Sequence, residues 1–435
     1  MMRRGVSWAL AGACVFLAAC HTILFQADIP GSIPVYARSA SADAAPLRAG
    51  SAEADITPDG SVYMAGYGLN RRSEGVHLPL RARALVLEKG GLELAFVGLD
   101  LLGMHRDDID WIKQSLDGFP FGNVLICCSH THSGPDLMGL WGFYFLSSGR
   151  DEEVLRTVRR GVRAAVLEAR RKLAPCSLRV GQARRPDEGV AKNNRRPGWF
   201  DRDLTVLVFD KVDGSGRGGT LIHFACHPEM MRRNNHVLSS DMTGDLCDQV
   251  TQRTGTPAVF LNGALGAMVT PSSPEGYGPE GQAAMRARLV DLVAQAEAAA
   301  TPVAATPFRV RRSDVYLPVD NRGYHLSSQL GLLPRAFWNG HVRTSVGVYQ
   351  IGPLRAAAIP GEIEPGLASR IKAGLGGQPS LVFALADDEL GYLMTKENAE
   401  LPSYRYERTL TPCPDAGDRL MQAALDLSRD WCFAK

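Results

Sequence analysis

Apolar positions along the chain follow two recurring patterns. Short apolar runs bounded by Gly, Pro, Asn or Asp mark strands, and longer stretches with apolar residues three and four apart mark helices. Ala82–Glu88 and Leu92–Leu99 read as a hairpin split by Lys89-Gly90-Gly91. Asp107–Leu116 has helical spacing, Asn123–Cys128 is a buried strand, and Glu152–Lys172 is a long amphipathic helix before a strand at Ser177–Ala183. Leu204–Asp210 and Thr220–Ala225 form a strand pair around a Gly-rich turn, followed by a helix at Gly244–Gln252 and a strand at Ala258–Asn262. A helix at Gln282–Ala299 precedes strands at Phe308–Pro318, Ser345–Ile351 and Leu354–Ile359. A helix at Pro365–Gly374 and a strand at Ser380–Ala386 complete the series. Short apolar strands alternating with helices predict an α/β fold: one large layered domain with a mixed β-sheet flanked by helices. Pro271–Glu280 and Asn321–Trp338 lack either period and read as long loops.

The N-terminus has a different pattern. Arg3 and Arg4 precede an apolar run, Gly5–Ala19, that is short for a bilayer span and ends in Leu17-Ala18-Ala19-Cys20. Small residues directly before a Cys predict a lipoprotein signal peptide at 1–19, with Cys20 acylated as the first mature residue. The alternatives are an ordinary secretory leader or an uncleaved anchor. Residues 20–48 carry Pro30, Pro34 and Pro46 with no sustained period and read as a linker, which leaves 49–435 as the folded domain. Lipidation at Cys20 would place the protein in the cell envelope, anchored to a membrane on the periplasmic or outer-membrane face.

The formal charge is +2, from 48 Lys and Arg against 46 Asp and Glu. No basic stripe stands out, so nothing points to a nucleic-acid partner. Cys413 and Cys432 flank a C-terminal helical stretch and could pair in an oxidising compartment.

Candidate chemistry gathers at strand ends. Ser129-His130-Thr131-His132-Ser133-Gly134-Pro135 follows the strand ending at Cys128. In extended chain, residues two apart point the same way, so His130 and His132 are expected to share a pocket. A second strand ends in Ala225-Cys226-His227-Pro228, whereas His223 lies within it and reads as structural. Two imidazoles from two strand ends suit Zn²⁺, which takes neutral His nitrogens plus O or S donors. The metal site is therefore expected at the C-terminal ends of strands. Glu362 in Pro360-Gly361-Glu362, and Asp387, Asp388 and Glu389, also stand at strand ends. By spacing alone a carboxylate there is as well read as a helix cap.

The segment Ser129–Pro135 resembles the His-Thr-His-Ser-Gly-Pro segment of the neutral/alkaline non-lysosomal ceramidases. Collinear with it, Ala54–Pro58, Met64–Tyr67, Gly75–His77, Arg81–Ala84, Leu99–Leu101, Ala225–Pro228, Pro360–Glu362 and Gly391–Thr395 resemble further segments of that family, over roughly residues 50–410. The resemblance implies one zinc ion held by His130, His227, Glu362 and Tyr392. It also implies that His132 assists the substrate or the proton transfer, and that Arg195, in Asn194-Arg195, reaches the active site. The family's Gly-Asp-Val-Ser-Pro segment, with its active-site Ser, is replaced by Gly263–Pro271, in which Thr270 stands nearest the Ser. The activity implied is hydrolysis of an amide in an N-acyl, ceramide-like lipid by metal-activated water, with Tyr392 and Thr270 also lining the reaction site. The alternatives are hydrolysis of another amide or ester, such as a cell-wall fragment, and a non-catalytic lipoprotein binding module on the same fold.

Overall fold

The computed structural model describes residues 28–143, 147–186, 188–329 and 333–432. The signal peptide at 1–19 and Cys20 lie outside these residues. The expected layered α/β domain is present, and its strands divide between two mixed sheets rather than one.

The larger sheet has nine strands. Its order is Ala258–Asn262, Arg217–Phe224, Asp203–Lys211, Ala174–Arg184, Arg48–Asp55, Arg81–Lys89, Leu92–Leu99 and Val124–Cys128, with Thr301–Val303 beside Ala174–Arg184. Inner pairs are antiparallel, whereas the outermost strand at each edge runs parallel to its neighbour. Strand twist accumulates at roughly 20–25° per neighbour, so a sheet of this width curls back on itself. Here the curl is tight. Gly98, next to one edge, lies under the Phe260 carbonyl of the other, and a Cβ there would sit 2.5 Å from that oxygen. The smaller sheet runs Val35–Ser39, Phe308–Pro318, His341–Ile351, Leu354–Ala358 and Ser380–Phe383, with Phe337–Trp338 beside His341–Ile351. Its last two strands are parallel and joined through the helix Pro365–Leu375.

Alternation along each strand decides what each face meets. Leu85, Phe96, Leu207, Phe209 and Leu221 pack from the large sheet against Phe308, Tyr349, Ile351 and Phe383 of the small one. The intervening residues Ala84, Val86, Ala95 and Val97 meet the helix Glu152–Arg171. That helix buries Val154, Leu155, Val158, Val162, Ala165 and Val166 at three- and four-residue spacing, and the Asp151 carboxylate accepts the free amides of Glu153 and Val154. The helices Asp241–Thr254 and Gly278–Ala298 cover Val206, Val208, Ile222 and Phe224. Helices Pro365–Leu375 and Ala416–Cys432 cover Val346, Val348 and Val382 on the outer face of the small sheet. The result is a helix–sheet–sheet–helix stack.

Two stretches carry more order than their sequence suggests. Within the expected linker, Val35–Ser39 pairs with Phe308–Pro318 as an edge strand. Within the expected loop at 321–338, Arg322–Gln329 is a helix. Their contacts are with distant residues, which local period does not report. Cys413 is a buried free thiol. Among the described residues no helix is long and apolar enough to cross a membrane.

Candidate metal centre

The two edges of the large sheet meet where the candidate histidines stand. Val124–Cys128 ends one edge, and two residues later His130 adopts φ +74°. The extended-chain argument for His130 and His132 is therefore corrected: the chain turns through a left-handed residue there. The pair still converges, with ring centroids 5.0 Å apart, because the turn folds the two imidazoles towards a common point. His227, just past the end of Arg217–Phe224, the strand next to the other edge, completes the group: its ring centroid is 5.0 Å from that of His130 and 5.7 Å from that of His132. Ring nitrogens of the three lie within 4.8 Å of one another.

Second partners fix how two of these rings are used. His130 Nδ1 lies 2.9 Å from the Leu102 carbonyl, and His227 Nδ1 lies 2.9 Å from the Val269 carbonyl. A carbonyl only accepts, so Nδ1 carries the proton in both rings and Nε2 faces the centre. Glu362 reaches both, with Oε2 3.0 Å from His227 Nε2 and Oε1 3.6 Å from His130 Nε2. Tyr392 stands beside Glu362 because Glu362–Ile363 and Tyr392–Leu393 form a parallel pair in that register. Its hydroxyl donates to Met268 Sδ at 3.2 Å and stands close enough to Glu362 to help hold that carboxyl down. Glu362 is not a helix cap: the N-cap of Pro365–Leu375 is Glu364.

Burial sets the electrostatics. It pushes the His130 imidazolium down to about 4 and that of His132 well below the usual value, so both rings are neutral near pH 7. His227 moves up: burial opposes its charge, but the Glu362 hydrogen bond and charge outweigh it. Burial likewise raises the Glu362 carboxyl, and the His130 charge and His227 hydrogen bond together bring it below the ordinary carboxylate range. Burial, reinforced by the Glu362 charge, pushes the Tyr392 phenol well up.

His132 is held differently. Neither ring nitrogen has a partner, although both are buried. Its backbone carbonyl accepts from Arg71 Nη2 at 2.6 Å, and the Tyr67 ring meets its edge at 4.8 Å. Gly66, at φ +100°, passes so close that a Cβ would lie 2.6 Å from His132 Cγ. Tyr67 in turn donates to Glu229 at 2.8 Å. Nothing in the Met64–Tyr67 motif itself signals this cradle, because Arg71 and Glu229 meet it only in the fold.

The segment 263–271, read as the main departure, touches the centre at His227, Tyr392 and the backbone beside Glu362. Val269 supplies the carbonyl for His227, Met268 sits against Tyr392, and the Gly266 amide donates to Ile363 beside Glu362. Ala267 and Met268 both take positive φ. Thr270 is buried, and its hydroxyl accepts from Asn194 Nδ2 at 3.0 Å. Arg195 pairs with Glu407, whose charge also acts on Tyr392. Thr270 and Arg195 thus engage Asn194 and Glu407. His223 Nε2 donates to the Val382 carbonyl, 3.0 Å away.

The donor set fits a metal ion. Neutral imidazoles with Nδ1 tied to carbonyls, an adjacent carboxylate and a phenol are the ligand types zinc takes. The unpartnered nitrogens of buried His132 leave unmet valence at the same point.

A family model for the neutral/alkaline non-lysosomal ceramidase N-terminal region matches residues 47–255. The chain is similar to a neutral ceramidase of Pseudomonas aeruginosa, 29% identical over 246 residues, covering 51% of this chain and 36% of that protein. It is also similar to one of Mycobacterium tuberculosis, 26% identical over 225 residues, covering 46% and 34%. The match therefore spans about a third of the length of these curated relatives. The crystal structure of a neutral ceramidase from Pseudomonas aeruginosa shares the fold, with a TM-score of 0.73, 20% identity, and coverage of 88% of this chain and 74% of that one. Residues 47–255 thus match the neutral/alkaline non-lysosomal ceramidase family, and the fold shared with a neutral ceramidase continues beyond them.

Proposed function

We propose that the protein is a zinc-dependent hydrolase of an amide bond in an N-acyl, ceramide-like lipid. The observation that carries this reading is the convergence of His130, His132 and His227 with Glu362 and Tyr392 at one buried point. His130, His227, Glu362 and Tyr392 would hold the metal. Bound zinc supplies a lowered pKa for water and polarisation of the scissile carbonyl. His132, with both nitrogens unengaged, takes a proton from the attacking water and returns it to the nitrogen of the leaving amine as the carbon–nitrogen bond breaks. The grip of Arg71 and the contact of Gly66 fix that ring, so little reorganisation accompanies the transfer. Glu362 keeps His227 oriented, and Tyr392 stands where it can donate to the developing oxyanion.

The segment 263–271 supports a substrate other than ceramide itself. Thr270 is committed to Asn194, and its methyl and its changed spacing from the preceding Gly set it apart from the family's Ser. A misplacement near 1 Å costs on the order of 10²-fold in rate. The test is metal analysis of the purified chain with a panel of N-acyl substrates: about one zinc per chain is expected, with short- and long-chain ceramides turned over more slowly than another N-acyl amide. Ceramide turnover at least as fast as every other amide would overturn the substrate reading. Absence of zinc and of any amidase activity would leave a binding module.

The proposal extends to location. Leu17-Ala18-Ala19-Cys20 supports acylation at Cys20 and a membrane-anchored place in the cell envelope. Cys20→Ser should release the protein from the detergent phase, and unchanged partitioning would refute the anchor.

A further inference from the structure

His130 follows one edge strand of the large sheet, and His227 follows Arg217–Phe224, the neighbour of the other edge strand, Ala258–Asn262; among the described residues no strand pairing joins the two edges. One side chain does. Asn262, the last residue of its strand, is fully buried. Its Nδ2 donates to the Ser129 carbonyl at 2.8 Å and to the Cys226 carbonyl at 2.9 Å, while its Oδ1 accepts from the Cys226 amide at 3.2 Å. Ser129 directly precedes His130, and Cys226 directly precedes His227. The Asn262 backbone carbonyl accepts from Ala384 at 2.9 Å, at the start of the segment that leads to Tyr392. The amide can sit only one way round, since flipping it would set its oxygen against two carbonyls.

We propose that Asn262 is the positioning residue that sets the separation of the two metal-binding histidines. The proposal rests on the zinc reading above. A buried amide with both protons and its oxygen engaged has one low-energy geometry, and each bond it makes ends on the backbone of a residue next to a ligand. His130 and His227 come from opposite sides of the large sheet, and besides Asn262 the His132 amide, donating to the Pro228 carbonyl at 3.2 Å, ties their segments together. Alanine at 262 leaves the Ser129 and Cys226 carbonyls without a donor in a dry interior, and both strand ends relax. Serine restores at most one of the two donated bonds. Partners one shell beyond a metal's ligands typically change its affinity by about 10- to 100-fold.

The experiment measures zinc affinity of the full chain by competition with a chelator, and the visible absorption of the cobalt-loaded form. Asn262→Ala and Asn262→Ser are compared with Asn123→Ala, which removes another buried amide at the opposite end of the Val124–Cys128 strand. Asn262→Ala should weaken zinc about 10- to 100-fold and shift the cobalt band, with Asn262→Ser intermediate. Asn123→Ala should lower the melting temperature and leave zinc affinity and the cobalt band unchanged. If the alanine variant does not fold, the serine variant alone decides. Wild-type affinity and an unchanged cobalt band in the Asn262 variants would make the residue a structural amide only. A wild-type chain that binds no zinc would instead overturn the metal reading itself.

Discussion

Two carboxylates, Glu362 and Asp387, lie buried at neighbouring strand ends, and they are satisfied in opposite ways. Asp387 sits between two cationic side chains. Lys113 Nζ lies 2.8 Å away, Arg312 pairs with the other oxygen, and the Ile126 amide donates at 2.9 Å. Burial raises its carboxyl, but Arg312 and Lys113 outweigh that and hold it at about 2. Glu362 has no Lys or Arg partner in hydrogen-bond reach among the described residues. It faces two imidazoles and a phenol, beside a third imidazole whose buried ring nitrogens make no hydrogen bond of standard geometry. The first cluster is closed within the protein. The second is incomplete until something cationic joins it. A buried charge left to neutral or switchable partners is costly, and proteins keep such arrangements where they bind or react.

Breaking the incomplete cluster should have the largest effect. His130→Ala or His227→Ala should abolish zinc binding and reduce activity to background, measured by metal analysis and turnover, with the apo fold retained by circular dichroism. Zinc retained in full by both variants would equate the two clusters. Next comes His132→Ala, expected to cost about 10²–10⁴-fold in kcat while zinc remains bound. If KM alone rises, His132 binds substrate and moves no proton.

The closed cluster should respond in stability instead. Asp387→Asn should cost about 3–5 kcal/mol in urea unfolding at pH 7, since Arg312 and Lys113 lose a buried partner. The folded pKa of Asp387 lies below its unfolded value of about 3.9, so its contribution is present above that pH and lost as pH falls towards about 2. The gap between wild type and variant should therefore shrink over that window. A gap unchanged from pH 7 to pH 2 would remove Asp387 from the acid response. The smallest effect is expected from Glu362→Gln, an isosteric change that keeps a hydrogen bond to His227. Apo stability should fall by no more than about 1 kcal/mol, while zinc occupancy drops. A purely thermal effect would make the two carboxylates alike.

This contrast was only partly legible in the sequence. Strand-end histidines and the layered α/β order follow from period and spacing, which are local properties. Glu362 could be read as a cap until the register of Glu362–Ile363 with Tyr392–Leu393 set it beside a phenol. The roles of Arg71, Asn262 and Val269 depend on contacts across more than thirty residues of chain, so no window of sequence reports them. The segment 263–271 was legible as a departure but not as a support. Its carbonyls and amides carry the load, and a backbone group has no residue identity to read. His130 was identified for an incomplete reason, because a left-handed turn leaves no signature in a His codon position as it does in a Gly.

The stretch before residue 48 has a practical bearing. Val35–Ser39 covers the outer edge of Phe308–Pro318, and beyond it Ser41 reaches Gly90 and Lys89 reaches the Asp43 carbonyl on the other sheet's hairpin. It acts as a strap across the stack. Trimming the chain at residue 49, where apolar period first suggests a domain, would strip this strap and leave an eleven-residue strand with open amides and carbonyls. Such an edge invites pairing with the same edge of another molecule, so the shortened protein would tend towards self-association and precipitation even with its catalytic pocket intact.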